Sequence, residues 1–169
     1  MSSPVYFDTS VFLAILKPET TAKQIRALIK ELEDENVRIY TSILTVQEVS
    51  VLGFRRGTVA KDNLTRIGKL ARVVGISPDI ALTAAKLEAQ ISDEARESDK
   101  ARSEKQRRKW DCFHIATAQV YKCSVLFAED KQMHKRQPQL GLASLKIIAP
   151  RAKSDTLGFG KGDNGGART

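Results

Sequence analysis

The alternation of apolar and helix-patterned segments predicts an α/β fold, one domain with a mainly parallel sheet, and three observations carry that expectation. Five short β-prone runs recur along the chain: Val5 to Phe7, Val37 to Tyr40, Val73 to Ser77, Ser124 to Ala128 and Leu145 to Ala149. Helical patterns separate most of them, which is the signature of strands joined by crossover helices. The Ser124–Ala128 run is almost continuously apolar, as a strand covered on both faces should be. The 169 residues, 41% hydrophobic and 28% charged, suit one domain with one substantial core.

Each element has a local reason. Val5–Phe7 is β-prone and apolar, and it stops at an ionisable residue, Asp8. The apolar run that follows ends at Lys17–Pro18, which closes a short helix. Thr20 or Thr21 caps the next helix, in which Ile25, Leu28, Ile29 and Leu32 recur at three- and four-residue spacing. After the polar break Glu33–Asn36 comes the strand Val37–Tyr40, then Thr41–Ser42 as the cap of a helix from Ile43 to Phe54. A basic amphipathic helix over roughly Val59 to Ala71 leads into the weaker third strand, interrupted by Gly75. Ser77–Pro78–Asp79 combines a capping hydroxyl, a proline at the first helical position and an acid in the first turn, so a helix runs from Ile80 to about Ile91.

The stretch Ser92 to Lys109 is too charged to bury and reads as an exposed helical extension or a mobile loop. Trp110 to Tyr121 is patterned as a buried helix whose small residues allow close packing on a sheet. The final strand stops at Pro150, and from Arg151 the composition turns polar and Gly-rich. Residues 1–150 are therefore expected to form the domain and 151–169 a disordered tail.

The totals narrow the function. No run approaches a membrane span, and no signal peptide opens the chain. Two cysteines, Cys112 and Cys123, read as reduced core thiols rather than a disulfide or zinc site, which points to a cytoplasmic protein. The net charge is +8, concentrated in Arg55–Arg72, Lys100–Lys109 and Lys131–Lys153. Such a field attracts phosphate backbones, although charge runs are more often plain solvated faces.

Asp8 and Asp130 both sit at the ends of buried strands, and Asp111 and Glu48 lie near the starts of helices. Helices that follow parallel strands begin at the carboxyl edge, so all four acids can converge in the crevice where open α/β sheets bind ligands. Each has a plainer reading. Asp8 can cap a helix, Asp111 can answer a helix dipole, Asp130 can turn with Lys131, and Glu48 can pair with Arg55 or Arg56. Together they cannot crowd without compensation, since two unit charges at 4 Å repel by roughly 4 kcal/mol at an effective dielectric of 20. A cluster of oxygen donors without His or Cys at metal spacing calls for a hard cation, Mg²⁺ or Mn²⁺. Beside a basic surface, that cation suggests phosphodiester hydrolysis.

The same residues carry a resemblance. VYFDTSVFLAIL around Asp8, TSILTVQEVSVL around Glu48, KWDCFHIATAQVY around Asp111 and SVLFAEDKQM around Asp130 resemble PIN-domain ribonucleases, most of all the VapC toxins of toxin–antitoxin pairs. The four acids stand in order, 40, 63 and 19 residues apart, and the likeness runs from about Val5 to Pro150. The resemblance implies a three-layer α/β/α sandwich with a five-stranded, mainly parallel sheet. It implies that Asp8, Glu48, Asp111 and Asp130 hold Mg²⁺ or Mn²⁺ for endonucleolytic RNA cleavage, and that Ser10 orients the first carboxylate. It also implies a homodimer silenced by a cognate antitoxin protein that reaches into the acidic cleft. The chain departs from the pattern at Ala128, where the family usually has Thr or Ser, and in the long charged stretch Ser92–Lys109.

The remaining residues read as ordinary: His114 as a hydrogen-bonded core histidine, Trp110 as a packing anchor. Two other classes of function stay open. A non-catalytic RNA- or protein-binding module on the same fold is kept alive by Ala128. A phosphoaspartyl enzyme is disfavoured, because position 10 is Ser rather than Asp and no acid pair marks the first strand.

Overall fold

The computed structural model describes residues 3–15, 20–55, 60–91 and 99–152. Five strands form one sheet in the order β3-β2-β1-β4-β5, every neighbouring pair parallel. They are β1 (Val5–Phe7), β2 (Ile39–Ser42), β3 (Arg72–Val74), β4 (Val125–Phe127) and β5 (Lys146–Ile148). The helices are α1 (Thr9–Ile15), α2 (Thr20–Asp34), α3 (Ile43–Arg55), α4 (Ala60–Leu70), α5 (Pro78–Gln90), α6 (Asp99–Val120) and α7 (Lys131–Leu140). This is the α/β/α arrangement that the sequence led us to expect.

Strand alternation divides the core in two. Tyr6, Tyr40, Leu126 and Ile147 point to one face, where α5, α6 and α7 cover them with Ile80, Leu87, Ile115 and Met133. Val5, Phe7, Ile39 and Phe127 point to the other, against Val11 and Phe12 of α1, Ile25 and Ile29 of α2, and Val49 of α3. Phe7 and Ile25 are fully buried, and each side chain contributes on the order of 2 kcal/mol on leaving water. The Phe7 and Phe127 rings meet edge to face at 5.6 Å, which ties the central strand β1 to its neighbour β4.

The chain winds outward in one direction from β1 to β3 and in the other from β4 to β5, so the winding reverses between β1 and β4. That switch point is where open α/β sheets hold ligands. Asp8 leaves β1 there, and its amide donates to Phe127 O on β4 at 3.0 Å. Asp130 follows β4 by three residues.

Three local expectations change. Thr41 and Ser42 belong to β2, although Ser42 still accepts from the Leu44 amide at 3.2 Å, as a cap would. The buried helix expected from Trp110 begins eleven residues earlier, at Asp99, so Asp111 lies in its middle rather than its first turn. The helix-dipole reading of Asp111 therefore fails, because that effect is confined to the first turn. Between β4 and β5 the sequence pattern gave no helix, yet α7 forms there. Its apolar face is only Met133 and Leu140, and Pro138 sits inside it. Asp130 caps its start, and Gly141 ends it in the left-handed conformation at φ 56°. Gln137 Oε1 accepts from Ile147 N at 2.7 Å and fastens the helix to β5.

The Ser77–Pro78 helix start holds as expected, with Ser77 Oγ accepting from Ile80 N at 3.3 Å. Of the expected tail, Arg151 pairs with Glu129 and Ala152 is buried in the core; residues 153–169 lie outside the described residues. So does the segment 92–98 of the charged stretch. No described helix is long and apolar enough to cross a membrane.

Candidate active site at the switch point

A cavity of about 360 Å³ opens at the carboxyl edge of β1 and β4, and Asp8, Glu48, Asp111 and Asp130 all line it. Thr9, Ser10, Trp110 and His114 share the lining. The four acids selected by sequence thus meet, each fixed by different neighbours.

Asp8 is 5% exposed. Its Oδ2 accepts from the Ser10 hydroxyl at 2.8 Å and the Ser10 amide at 3.2 Å. The same hydroxyl accepts from Glu129 N at 2.9 Å, so Ser10 joins the ends of β1 and β4 while holding the carboxylate. Glu48 reaches in from the second turn of α3, where Thr9 Oγ1 donates to its Oε2. Beneath it the hydroxyls of Thr9, Thr45 and Thr41 follow one another at 3.2 and 2.9 Å, and Thr41 donates to Phe7 O at 2.8 Å. With Thr9 committed to Glu48 and Thr41 to Phe7, the single Thr45 proton serves one of its two neighbours, and each of the three hydroxyls has an acceptor.

His114 stands between the first two acids. Its Nε2 is 3.6 Å from Asp8 Oδ1 and 3.5 Å from Glu48 Oε2, and its Nδ1 is 2.7 Å from the Tyr6 hydroxyl. When the imidazole is neutral and Tyr6 donates to Nδ1, the proton sits on Nε2, facing both carboxylates. Burial pulls the His114 pKa down, but the Asp8, Glu48 and Asp111 carboxylates outweigh it and hold it above the ordinary value. Burial raises Glu48, and the hydrogen bond and charge of His114 with the Thr9 hydroxyl overcome that, leaving it lowered. Burial with the nearby Asp8 charge also holds the Tyr6 hydroxyl well above its ordinary value.

Asp111 is held from the far side, its Oδ2 accepting from Arg136 Nε at 2.8 Å. Burial nevertheless prevails over the guanidinium, the Asp8 charge adds to it, and the carboxyl is pushed up to about 6. Asp130 caps α7, with Oδ1 accepting from Gln132 N at 2.8 Å. At Ala128 there is no side-chain polar group, and the buried carbonyl bonds His134 Nε2 at 2.8 Å.

The hydroxyl of Thr9, next to Asp8, was legible in the sequence, whereas two other neighbours escaped it as site residues. His114 lies three residues past Asp111 on one helix face and so carried a positional signal. Arg136 carried none, since it belongs to a helix that the apolar pattern did not reveal.

Among the described residues no three His, Cys, Asp or Glu side chains form a ready-made metal cluster. The donor set still fits a hard cation. It is all carboxylate oxygen, and Mg²⁺ keeps several waters and needs only one or two direct carboxylates. Asp8, Glu48, Asp111 and Asp130, the four acids that line the cavity, are the residues that would supply them.

The sequence profile of the PIN domain matches residues 5–137. A search of curated proteins found no match. Among solved structures, a toxin–antitoxin complex from Klebsiella pneumoniae superposes with a TM-score of 0.56 at 19% identity, covering 86% of this chain and 97% of that one. VapBC-1 from nontypeable Haemophilus influenzae gives 0.56 at 15% identity, over 86% and 96%. VapC20 from Mycobacterium tuberculosis, a toxin that cleaves the sarcin–ricin loop, gives 0.53 at 19% identity, over 76% and 92%. At these identities the likeness is one of fold.

Proposed function

Because the chain belongs to the PIN domain family, we propose that it is a nuclease toxin of the VapC kind, an Mg²⁺- or Mn²⁺-dependent endoribonuclease. The observation that supports this most is the meeting of Asp8, Glu48, Asp111 and Asp130 in one cavity at the switch point of the sheet. These four residues are the proposed catalytic and metal-holding acids, and Ser10 is the residue that orients Asp8. A bound divalent cation would supply activation of water and charge to offset that building on the scissile phosphate.

The chain's own residues prepare for this. Ser10 holds Asp8 Oδ2 and leaves Oδ1 beside His114 Nε2. Thr9 restrains Glu48, which is the more exposed of the two. Arg136 occupies one oxygen of Asp111 and leaves the other for the cavity. Asp130 spends one oxygen on the α7 cap in the same manner.

By analogy with the toxin–antitoxin complexes that share the fold, the partner is a cognate antitoxin protein; a homodimer, with the antitoxin reaching into the cleft, is what the resemblance to VapC toxins adds to the proposal. RNA is the substrate. The buried free thiols of Cys112 and Cys123 agree with a reducing, cytoplasmic setting.

Purified protein should cut single-stranded RNA in Mg²⁺ or Mn²⁺, lose the activity in EDTA, regain it with either ion, and lose it on Asp8→Asn. Equal cleavage in EDTA would refute the proposal. The engagement of Asp111 by Arg136 also suits a non-catalytic binding module, which would bind RNA in a salt-sensitive manner without turnover whichever acid is changed.

A further inference from the structure

The acidic cavity has a second wall that the acids do not explain. Its lining continues along α6 through Ser103, Gln106, Arg107 and Trp110, a helical face at three- and four-residue spacing that runs into Asp111 and His114. The helix begins twelve residues before Asp111, so its N-terminal half runs on beyond the acids that the same cavity gathers at the sheet edge. From Ser103 to Asp111 the face rises about 12 Å, a little over two helical turns beyond the acids.

Packing does not account for the residues on it. Ser103, Gln106 and Arg107 are exposed, and Arg107 has no ion-pair partner among the described residues. Trp110 is half-buried, with its ring centroid 6.1 Å from that of Phe113, and it borders the cavity. Among the residues that line the cavity, Arg107 is the one Lys or Arg beside four carboxylates. A phosphodiester strand approaching those acids is repelled by four carboxylates and finds an exposed cationic contact at that guanidinium, and a rigid indole within one turn of it offers a stacking face.

We propose that this face of α6 is a track for single-stranded RNA, with Arg107 on a backbone phosphate and Trp110 stacked on a base next to the bond that is cut. The inference rests on the nuclease reading for what happens at the acids, but the binding it describes is independent of cleavage. Polar Ser103 and Gln106 extend the track upstream without an apolar penalty for the strand.

Trp110 is the chain's only tryptophan, so its fluorescence reports on the track alone. In EDTA, which prevents turnover, titration with a uridine homopolymer of about ten nucleotides should quench that fluorescence saturably. Arg107→Gln should weaken binding several-fold at low salt and lower the slope of log affinity against log salt by about 0.7. Trp110→Ala, which removes the fluorophore and is read by anisotropy of a labelled oligonucleotide, should weaken binding roughly tenfold or more. Ser103→Arg, a change that misfolding cannot imitate, should tighten binding and steepen the salt slope. Binding seen by anisotropy of a labelled oligonucleotide without quenching, or unchanged by all three substitutions, would overturn the track. The two readings fail separately. Quenching without cleavage in Mg²⁺ or Mn²⁺ would spare the track and sink the nuclease, whereas cleavage with an unchanged KM in Arg107→Gln would do the reverse.

Discussion

The Ser10 hydroxyl lies 2.8 Å from Asp8 Oδ2 and, as acceptor, 2.9 Å from the Glu129 amide. One small side chain therefore fixes the first acid and the loop that delivers the last. Ser10→Ala removes both contacts and leaves only the longer backbone bond from residue 10 to Asp8. A part-buried amide then loses its partner, which costs about 1–2 kcal/mol of stability. Cleavage of RNA should fall by roughly tenfold or more as Asp8 and Asp130 lose their common brace. Urea denaturation and initial rates on one RNA check this; a variant with wild-type rate would show that the brace has no catalytic role.

Protons and cations compete for the same carboxylates, and the sign of that competition follows from the shifts. Asp111 is raised to about 6, so below that value the folded chain holds a proton that the unfolded chain releases at a lower pH. Its contribution to stability is present at low pH and is lost as pH rises through about 6. His114, also raised, behaves alike: its contribution is full below the ordinary imidazole value and is lost as pH rises through the folded one. Glu48 opposes them, since its lowered value gives stability that is lost as pH falls through it. In EDTA the chain should melt at a lower temperature at pH 8 than near pH 6. The rise in melting temperature on adding Mg²⁺ should be small near pH 5 and grow towards pH 8, because the cation needs Asp111 ionised. A shift independent of pH would argue against Asp111 as a ligand.

Much of this site was legible in the chain because its signals are local. A carboxylate directly after a buried strand, as at Asp8, announces its own position, and the hydroxyls beside it are adjacent in sequence. The two sheet faces were legible for the same reason, since Tyr6 alternates with Val5 and Phe7. What escaped depends on contacts across the fold. Of the two readings open for the charged stretch, the exposed helical extension holds from Asp99 on, and what the pattern did not show is its continuity with the packed segment that carries Asp111. The α7 helix is held by a cap, a left-handed Gly141 and the Gln137 bond to β5, none of which leaves an apolar period. His114 looked like a core histidine and is one by burial, at 2% exposed; its role at the site appears only when Asp8 and Glu48 arrive from other elements.

The Asp111–Arg136 pair is the contact that separates a working acid from a structural one. The pair is buried, with both side chains about a tenth exposed or less. Removing only the guanidinium, in Arg136→Met, strands a buried carboxyl and should destabilise the protein by about 3 kcal/mol, reduced by whatever part Asp111 avoids by taking up a proton. The double variant with Asp111→Asn should recover most of that loss, because no buried charge remains. If the pair were only a structural clasp, the stability-restored double variant would also recover RNA cleavage. If Asp111 works on the substrate or its cation through the oxygen that Arg136 leaves free, the double variant folds as well as the parent and stays inactive. Thermal melts and cleavage rates on the parent, Arg136→Met, Asp111→Asn and the double variant decide between the two.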